Sequence, residues 1–185
     1  MDNENEINQQ AKYFANAKNG RIPLPPLFGQ DFKKGNLNWK RLDEVEFEQI
    51  GRILTCHLVI ETYLNKLLEL RFADDVDIDA ANLNFSQKLK MLRKHHAFQY
   101  VDFYHGISIL NKIRNKYSHH LEAKIDSSEI GIIQSIMNTY SNKVNREPFV
   151  LTKSEDYEVI VIETFTSIFC AFVAGYCSSI VEEWR

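Results

Sequence analysis

The chain has 185 residues, a formal net charge of −3 and a hydrophobic fraction of 44%, which is enough for the core of one domain. Seven glycines and four prolines are too few for a sandwich or barrel with many tight turns, so the composition favours helices. The polar residues 1–10 predict no signal peptide. Cys56, Cys170 and Cys177 lie in apolar stretches, which predicts buried, reduced thiols in a cytoplasmic protein.

Residues 1–40 are predicted to form an extension that precedes a helical domain at residues 41–185. A short helix suits residues 9–17. The run Ile-Pro-Leu-Pro-Pro-Leu at residues 22–27 cannot be helical throughout, because proline lacks the amide donor and restricts the residue before it. We predict an extended strap that lies on the bundle through Leu24, Leu27 and Phe28.

Apolar residues that recur every three or four positions predict five helices in the domain. The first runs from about residue 43, with Asp43 as N-cap, to residue 72. A short second helix runs from residue 87 to about residue 96, with Ser86 as its cap. The other three are predicted at about 101–121, 128–140 and 155–184. The expected fold is an all-α, up-and-down bundle of four to five helices with an N-terminal proline-containing extension.

The last predicted helix carries no charge over 18 positions, from Thr164 to Val181. A membrane span needs about 20 apolar residues, and this stretch includes five serines and threonines, so we predict no membrane association. Small residues recur at every fourth position along one face: Ser167, Ala171, Gly175 and Ser179. This small-residue stripe predicts close packing against another helix, inside the bundle or across a dimer.

The charge is unevenly distributed along the chain. Residues 84–124 contain eight basic and two acidic residues, a net charge of +6, so the remainder carries −9. Such a segment is either a solvated basic face or a surface for an anionic ligand. If it binds RNA, the side chains expected to contact it are Lys88, Arg93, Lys94, Lys112 and Lys116.

One polar run interrupts the apolar pattern of the third predicted helix, from Arg114 to His119. Arginine presents a planar fork suited to phosphate, and histidine is the side chain best suited to move a proton at neutral pH. Asn115 adds an amide that can orient either one. Five positions on a regular helix turn about 140°, so the two side chains converge only if the helix ends near Ser118 or if two copies share a cleft.

The string Leu-Asn-Lys-Ile-Arg-Asn-Lys-Tyr-Ser-His at residues 110–119 resembles the signature of HEPN domains. Their hallmark is an arginine, a polar residue that is often asparagine, and a histidine a few residues later. Residues 60–68 look like the first long helix of that family. Residues 85–89 resemble the short second helix of members similar to the mannitol operon repressor. The resemblance covers about residues 43–184, but only the motif is specific.

The resemblance implies a bundle that dimerises and places two copies of the motif in one cleft. Many HEPN proteins are metal-independent ribonucleases of toxin–antitoxin or phage-defence systems, which implies RNA as substrate, a cognate antitoxin as partner, and no cofactor. His119 is then general base or acid, Arg114 stabilises charge on the phosphate, and Asn115 orients. The alternatives are a non-catalytic regulator similar to the mannitol operon repressor, which binds a partner, and a scaffold that only dimerises.

Other histidines allow two interpretations each. His57 and Glu61, four apart on the first helix, either satisfy each other in the core or form a hydrogen bond in helix packing. Alternatively, Glu61 orients the catalytic Arg114 or His119 without touching the substrate. His95 and His96 either end a helix in solvent or contact a phosphate. The histidines lack the cysteine or carboxylate spacing typical of metal sites, so no metal is predicted.

Overall fold

Helices dominate the computed structural model of the chain, which describes residues 27–28, 39–40, 47–72, 81–120 and 123–183, with side chains at 47–72, 81–120 and 123–179. The predicted all-α bundle is confirmed. Six helices lie in the described residues, four long and two short: α1 (Phe47–Phe72), α2 (Phe85–Met91), α3 (His96–Tyr100), α4 (Phe103–His119), α5 (Ser127–Lys143) and α6 (Tyr157–Glu183).

The chain divides into two units, residues 1–46 and residues 47–185. In the first unit the described residues form a short antiparallel ladder, in which β1 (Leu27–Phe28) pairs with β2 (Trp39–Lys40). Two of the predicted strap anchors therefore lie in β1. The third anchor, Leu24, and the predicted short helix at 9–17 lie outside the described residues.

The helix ends follow the predictions to within a few residues, with two corrections. The first helix ends at Phe72 as predicted, whereas its predicted cap Asp43 lies outside the described residues. Ser86 does not cap the second helix. Asn84 caps it instead, because its side chain accepts from the N–H of Gln87 while the Gln87 side chain accepts from the N–H of Asn84. This capping box satisfies two donors at once.

The second correction is a break in the predicted helix at 87–96. α2 ends at Met91, and the chain restarts as α3 after His95, whose Nδ1 accepts from the N–H of Ala97 at 3.2 Å. Aspartates cap the two helices that follow, Asp102 for α4 and Asp126 for α5. Each aspartate accepts from a backbone N–H in the first turn, as N-cap residues do.

The core lies where the four long helices meet. α1 packs against α6, α4 and α2, and α5 packs against α4 and α6. α4 and α6 are therefore diagonal to each other in the bundle. Apart from Leu92, which follows α2, the largest fully buried side chains come from α1, α4 and α6 and include Leu64, Leu67, Phe103, Leu110 and Phe165. Burying each such side chain contributes about 1.5–3 kcal/mol, before the entropy cost of ordering it.

One connection departs from the predicted up-and-down alternation. Residues later in α5 contact residues later in α6: Gln134 contacts Tyr157, and Tyr140 contacts Phe172. The two helices therefore run in the same direction. Residues 144–156 carry the chain back between them. Thirteen residues can span up to about 43 Å when extended, which is ample for this return.

The small-residue stripe of α6 is exposed in the single chain. The prediction that the stripe is buried inside the bundle is therefore wrong. The reason is that α6 turns its large residues to the core: Phe165, Phe169 and Val173 are fully buried and lie on the side away from the stripe. Packing of the stripe across a dimer stays a prediction.

Residues Tyr157–Ser179 of α6 form the one stretch in the described helices that is long and apolar enough to cross a membrane. Half of the apolar window is buried inside the bundle. The core helix of a soluble protein passes the same test, so this finding is only weak evidence of a span.

Candidate functional site

The run from Arg114 to His119 forms the C-terminal end of α4. Tyr117 holds this end against α1, because its side chain is buried and its hydroxyl donates to Gln49 Oε1 at 3.2 Å. Tyr117 thus occupies the core position that the apolar repeat assigns to it. The contact places the motif beside the first turn of α1.

The helix stays regular to its last residue. The Ser118 hydroxyl donates to the carbonyl of Arg114 at 3.0 Å, and the N–H of His120 donates to the carbonyl of Lys116 at 2.8 Å. Arg114 and His119 therefore leave α4 about 140° apart, and no hydrogen bond joins them in the described structure. The helix ends at His119, one residue beyond the predicted end near Ser118. This end does not bring the two side chains together, because His119 is itself still helical.

Arg114 is half-buried on the side of α4 that faces α1. Its Nη1 donates to Asn115 Oδ1 at 3.0 Å, which is the geometry that an orienting role for Asn115 requires. Its Nε is buried and has no hydrogen-bond partner. A buried donor without a partner costs about 1–3 kcal/mol. Such groups are rare in folded proteins.

His119 is exposed and shares its helix face with Lys112 and Lys116. Both lysines bind the buried carboxylate of Glu129 in α5, with Nζ–O distances of 2.7 Å from Lys112 and 3.1 Å from Lys116. Burial alone would raise the pKa of Glu129, but the two ammonium groups hold that pKa below its usual range. The carboxylate of Glu129 therefore offsets much of the positive charge that Lys112 and Lys116 place beside His119.

His57, a buried histidine of α1, connects α1 to α2 and α4 near Arg114. The His57 Nε2 lies 3.1 Å from Asn111 Oδ1, and Asn111 Nδ2 donates to the Ser86 hydroxyl at 3.3 Å. The His57 ring also stacks on Phe85 at a centroid distance of 4.0 Å. Burial is the main reason that the pKa of His57 is lowered, and the Arg114 charge lowers it further. His57 is thus a neutral donor from Nε2.

Asn111 is the member of this network that sequence reasoning missed. It lies three residues before Arg114, between apolar positions of α4, and a polar residue at such a position is the signal that could have drawn attention to it. Its carbonyl oxygen fixes His57, and its amide nitrogen reaches α2. Asn111 therefore links the motif's helix to both neighbouring helices.

Glu61 has a different partner from the ones predicted for it. Its Oε1 lies 2.7 Å from Lys88 Nζ, and both side chains are largely buried. The predicted contact of Glu61 with His57, Arg114 or His119 is replaced by this ion pair between α1 and α2. The pair also draws Lys88 toward α1.

The structure does not gather the five predicted RNA contacts into one groove. Lys88 binds Glu61, whereas Lys112 and Lys116 bind Glu129 in α5. The other two line separate cavities. The Arg93 guanidinium lies 5.5 Å from the centroid of the Tyr104 ring, in a cavity of about 400 Å³, and Lys94 lines another cavity of about 320 Å³.

The described residues hold neither a cluster of metal ligands nor a thiol that ionises readily. Among the described residues, no group of three or more histidine, cysteine or acidic side chains is arranged to hold a metal ion. Cys56 is buried, and Cys170 and Cys177 are half-buried; all three are free. Burial raises their pKa values, that of Cys170 to about 11, so little nucleophilic thiolate forms at neutral pH.

Comparisons with protein-family models, with curated proteins and with solved structures give no significant match to this chain. The family resemblance consequently rests on the motif at 110–119 and on the helices around it.

Proposed function

We propose that the chain is an HEPN-like, metal-independent endoribonuclease that acts as a homodimer. The observation that carries the proposal is the environment of the Arg114 guanidinium. Its guanidinium is half-buried, held by Asn115 and bound by no carboxylate among the described residues, five residues before the exposed imidazole of His119. A fixed cation and an accessible imidazole are the two groups that metal-independent cleavage of RNA requires.

The reaction needs no co-reactant beyond the RNA. The neutral imidazole of His119 takes the proton from a ribose 2′-hydroxyl while the 2′ oxygen bonds to the adjacent phosphorus. The bond from phosphorus to the 5′ oxygen breaks, and that oxygen receives the proton that His119 now carries as an imidazolium. Arg114 offsets the extra negative charge on the phosphate through its fork. The products are a 2′,3′-cyclic phosphate and a 5′-hydroxyl.

A second copy supplies the missing half of each site in this proposal. Because α4 carries Arg114 and His119 on different faces, the Arg114 of one copy and the His119 of the other meet only if the two α4 helices face each other. The small-residue stripe of α6 does not serve this purpose, since α6 is diagonal to α4 in the bundle. An isologous dimer through the α4 end builds two equivalent composite sites.

A toxin of a toxin–antitoxin or phage-defence system is the biological role that the resemblance implies for such an enzyme. A free ribonuclease of this kind harms its own cell, so the proposal includes a cognate antitoxin that neutralises it. A protein that covers the C-terminal end of α4 blocks both Arg114 and His119 at once.

A second candidate is a non-catalytic regulator similar to the mannitol operon repressor, which acts by binding a partner. One observation favours it: three of the five predicted RNA-contacting residues are already held by carboxylates, Lys88 by Glu61 and both Lys112 and Lys116 by Glu129. Offsetting these charges weakens the attraction for a polyanion.

A cleavage assay on total RNA separates the two candidates. The proposal predicts cyclic-phosphate ends with the wild type, a loss of about 10²–10⁴-fold in rate for His119→Ala, and a similar failure of Arg114→Lys, because an ammonium does not reproduce the guanidinium fork. EDTA should have no effect. Equal activity of wild type and His119→Ala would contradict the ribonuclease proposal, and inactivity of all three proteins would favour the regulator.

A further inference from the structure

A separate cluster of basic side chains lies at the other end of the bundle, where α1 ends and α3 begins. The cavity of about 320 Å³ at this place is lined by Leu70, Arg71, Lys94, His95, His96 and Tyr176. Four of these six residues are basic and none is acidic. Gln49 marks the motif's end of α1, and Arg71 lies 22 residues further along the same helix, about 33 Å away. The cavity is therefore distinct from the proposed ribonuclease site.

His95 is the fixed element of this cavity. Its Nδ1 accepts from the N–H of Ala97 at 3.2 Å, so the neutral ring carries its hydrogen on Nε2 and is a donor there. The ring meets Tyr176 edge to face, with a centroid distance of 5.4 Å and an interplanar angle of 77°. The cap and the aromatic contact hold the imidazole in one orientation.

The positive charges around His95 are not offset by any described acid. Arg71 donates from Nη1 to the carbonyl of Met91 at 3.1 Å, and its guanidinium lies 5.4 Å from the centroid of the Phe72 ring. Neither partner carries a charge. Burial, and then the charges of Arg71 and His96, lower the pKa of His95. Cations held close together repel one another, and a bound anion relieves that repulsion.

We infer that this cavity binds a phosphate monoester, the dianionic end of a small phosphorylated ligand. A monoester carries a charge of about −1.5 to −2 at neutral pH and presents three terminal oxygens. The Arg71 fork and the Lys94 ammonium match its charge, and the two imidazoles add further donors. A phosphodiester within a nucleic acid continues on both sides and needs an open groove, whereas a cavity of this size suits a terminal group.

Calorimetric titration with inorganic phosphate and with uridine 5′-monophosphate tests the inference, at constant ionic strength maintained with chloride. The informative variant is Lys94→Ala/His96→Ala, because both side chains are exposed and their removal leaves the core intact. Lys90→Ala is the matched control, since it removes an exposed charge of α2 that does not line the cavity. Tyr176→Phe tests the hydroxyl alone.

The wild type and Lys90→Ala should bind the probes equally, and the double variant at least about tenfold more weakly. Saturating phosphate should also raise the pKa of His95, read from its ring proton shifts, in the wild type and not in the double variant. Tighter binding of the nucleotide than of phosphate identifies a nucleotide as the source of the monoester, and equal binding identifies the phosphate group alone.

Two results would overturn the inference. One is an absence of binding in the wild type, or a loss in Lys90→Ala as large as that in the double variant, which would mean unspecific charge attraction. The other concerns four aspartates at positions 74, 75, 77 and 79, which follow α1 and lie outside the described residues. If phosphate binds only after all four are changed to asparagine, the chain's own acids occupy the cavity. Both readouts are independent of RNA cleavage.

Discussion

Arg114 and His119 lie on one unbroken helix with their side chains about 140° apart. A single copy therefore cannot direct both groups at one phosphate through α4 alone. In the proposed enzyme, the exposed imidazole of one copy and the half-buried guanidinium of another form one site.

Gly106 of α4 is a packing position where no side chain fits. A Cβ there would lie 2.5 Å from Phe165 Cζ, and the Phe165 ring is fully buried. We expect Gly106→Ala to lower the free energy of unfolding by about 1–3 kcal/mol, as overpacking of a core does. Urea denaturation measures the change.

Gly131 of α5 is the matched control for Gly106. It is also helical, but a Cβ there meets nothing within 4 Å. We expect Gly131→Ala to raise the free energy of unfolding by about 0.5–1 kcal/mol, because alanine loses less backbone entropy in a helix. If the two variants change stability in the same direction, the close contact between Gly106 and Phe165 is wrong.

Two histidines should make the fold sensitive to mild acid. Burial lowers the pKa values of His57 and His95 below the ordinary 6.5, so the unfolded chain binds more protons than the folded chain once the pH falls below 6.5. The two histidines therefore leave the free energy of unfolding undiminished above pH 6.5. As the pH falls toward their pKa values in the folded chain, the free energy of unfolding declines by at most about 1.4 kcal/mol per pH unit for each histidine. Urea denaturation between about pH 5.5 and 7.5 measures the slope.

His95→Asn separates the contribution of His95 from that of His57. Asparagine can cap α3 but does not titrate, so this variant should show a shallower pH dependence in a buffer free of phosphate. Identical slopes for His95→Asn and the wild type would show that the cap does not depend on the neutral imidazole.

The buried carboxylate of Glu129 should limit RNA affinity. Glu129→Gln removes the charge that holds Lys112 and Lys116, so both lysines become available beside His119. We expect tighter binding of a labelled single-stranded RNA and a steeper salt dependence, by about 0.7 in the log–log slope for each new phosphate contact. Anisotropy titrations between about 50 and 200 mM salt measure both quantities.

Glu69→Gln is the control for charge alone. Glu69 binds Lys66 on the exposed side of α1 at 2.6 Å, away from the motif, and its neutralisation should leave the salt slope unchanged. A slope that stays the same in Glu129→Gln would mean that Lys112 and Lys116 do not face the RNA. Wild-type affinity that is flat across this salt range would count against any nucleic-acid role.

The small-residue stripe should support a second contact between copies, separate from catalysis, that joins the proposed homodimers into a larger assembly. It borders a groove of about 540 Å³ between α1 and α6, lined in part by Gly51, Thr55 and Ser167. Ala171→Glu places a charge on this face and should lower the molar mass measured by light scattering, while the cleavage rate per chain stays the same. An unchanged mass would show that the stripe makes no contact between copies.

Most of the fold was predictable because it depends on local patterns. The apolar repeat at helical spacing located the four long helices, and the end of α1 at Phe72 was predicted correctly. The break between α2 and α3 was missed because histidine is not among the residues that usually cap helices. His95 caps α3 through a ring nitrogen, a role that only the folded backbone reveals.

The candidate site was less predictable, since its contacts join distant parts of the chain. Lys88 binds Glu61, 27 residues away, and Lys116 binds Glu129, 13 residues away. No periodicity within one helix specifies such partners. The basic residues could therefore be predicted from the sequence, but the carboxylates that bind three of them could not.

A subunit-complementation assay tests most directly the claim that two copies share one ribonuclease site. Arg114→Lys and His119→Ala are each expected to be inactive alone. Mixed at equal amounts and refolded together, they should recover roughly a quarter of wild-type activity, because half of randomly formed dimers are mixed and each mixed dimer has one complete site of two. The recovered products should carry 2′,3′-cyclic phosphate ends. A mixture as inactive as its components, beside an active wild type, would contradict the shared site.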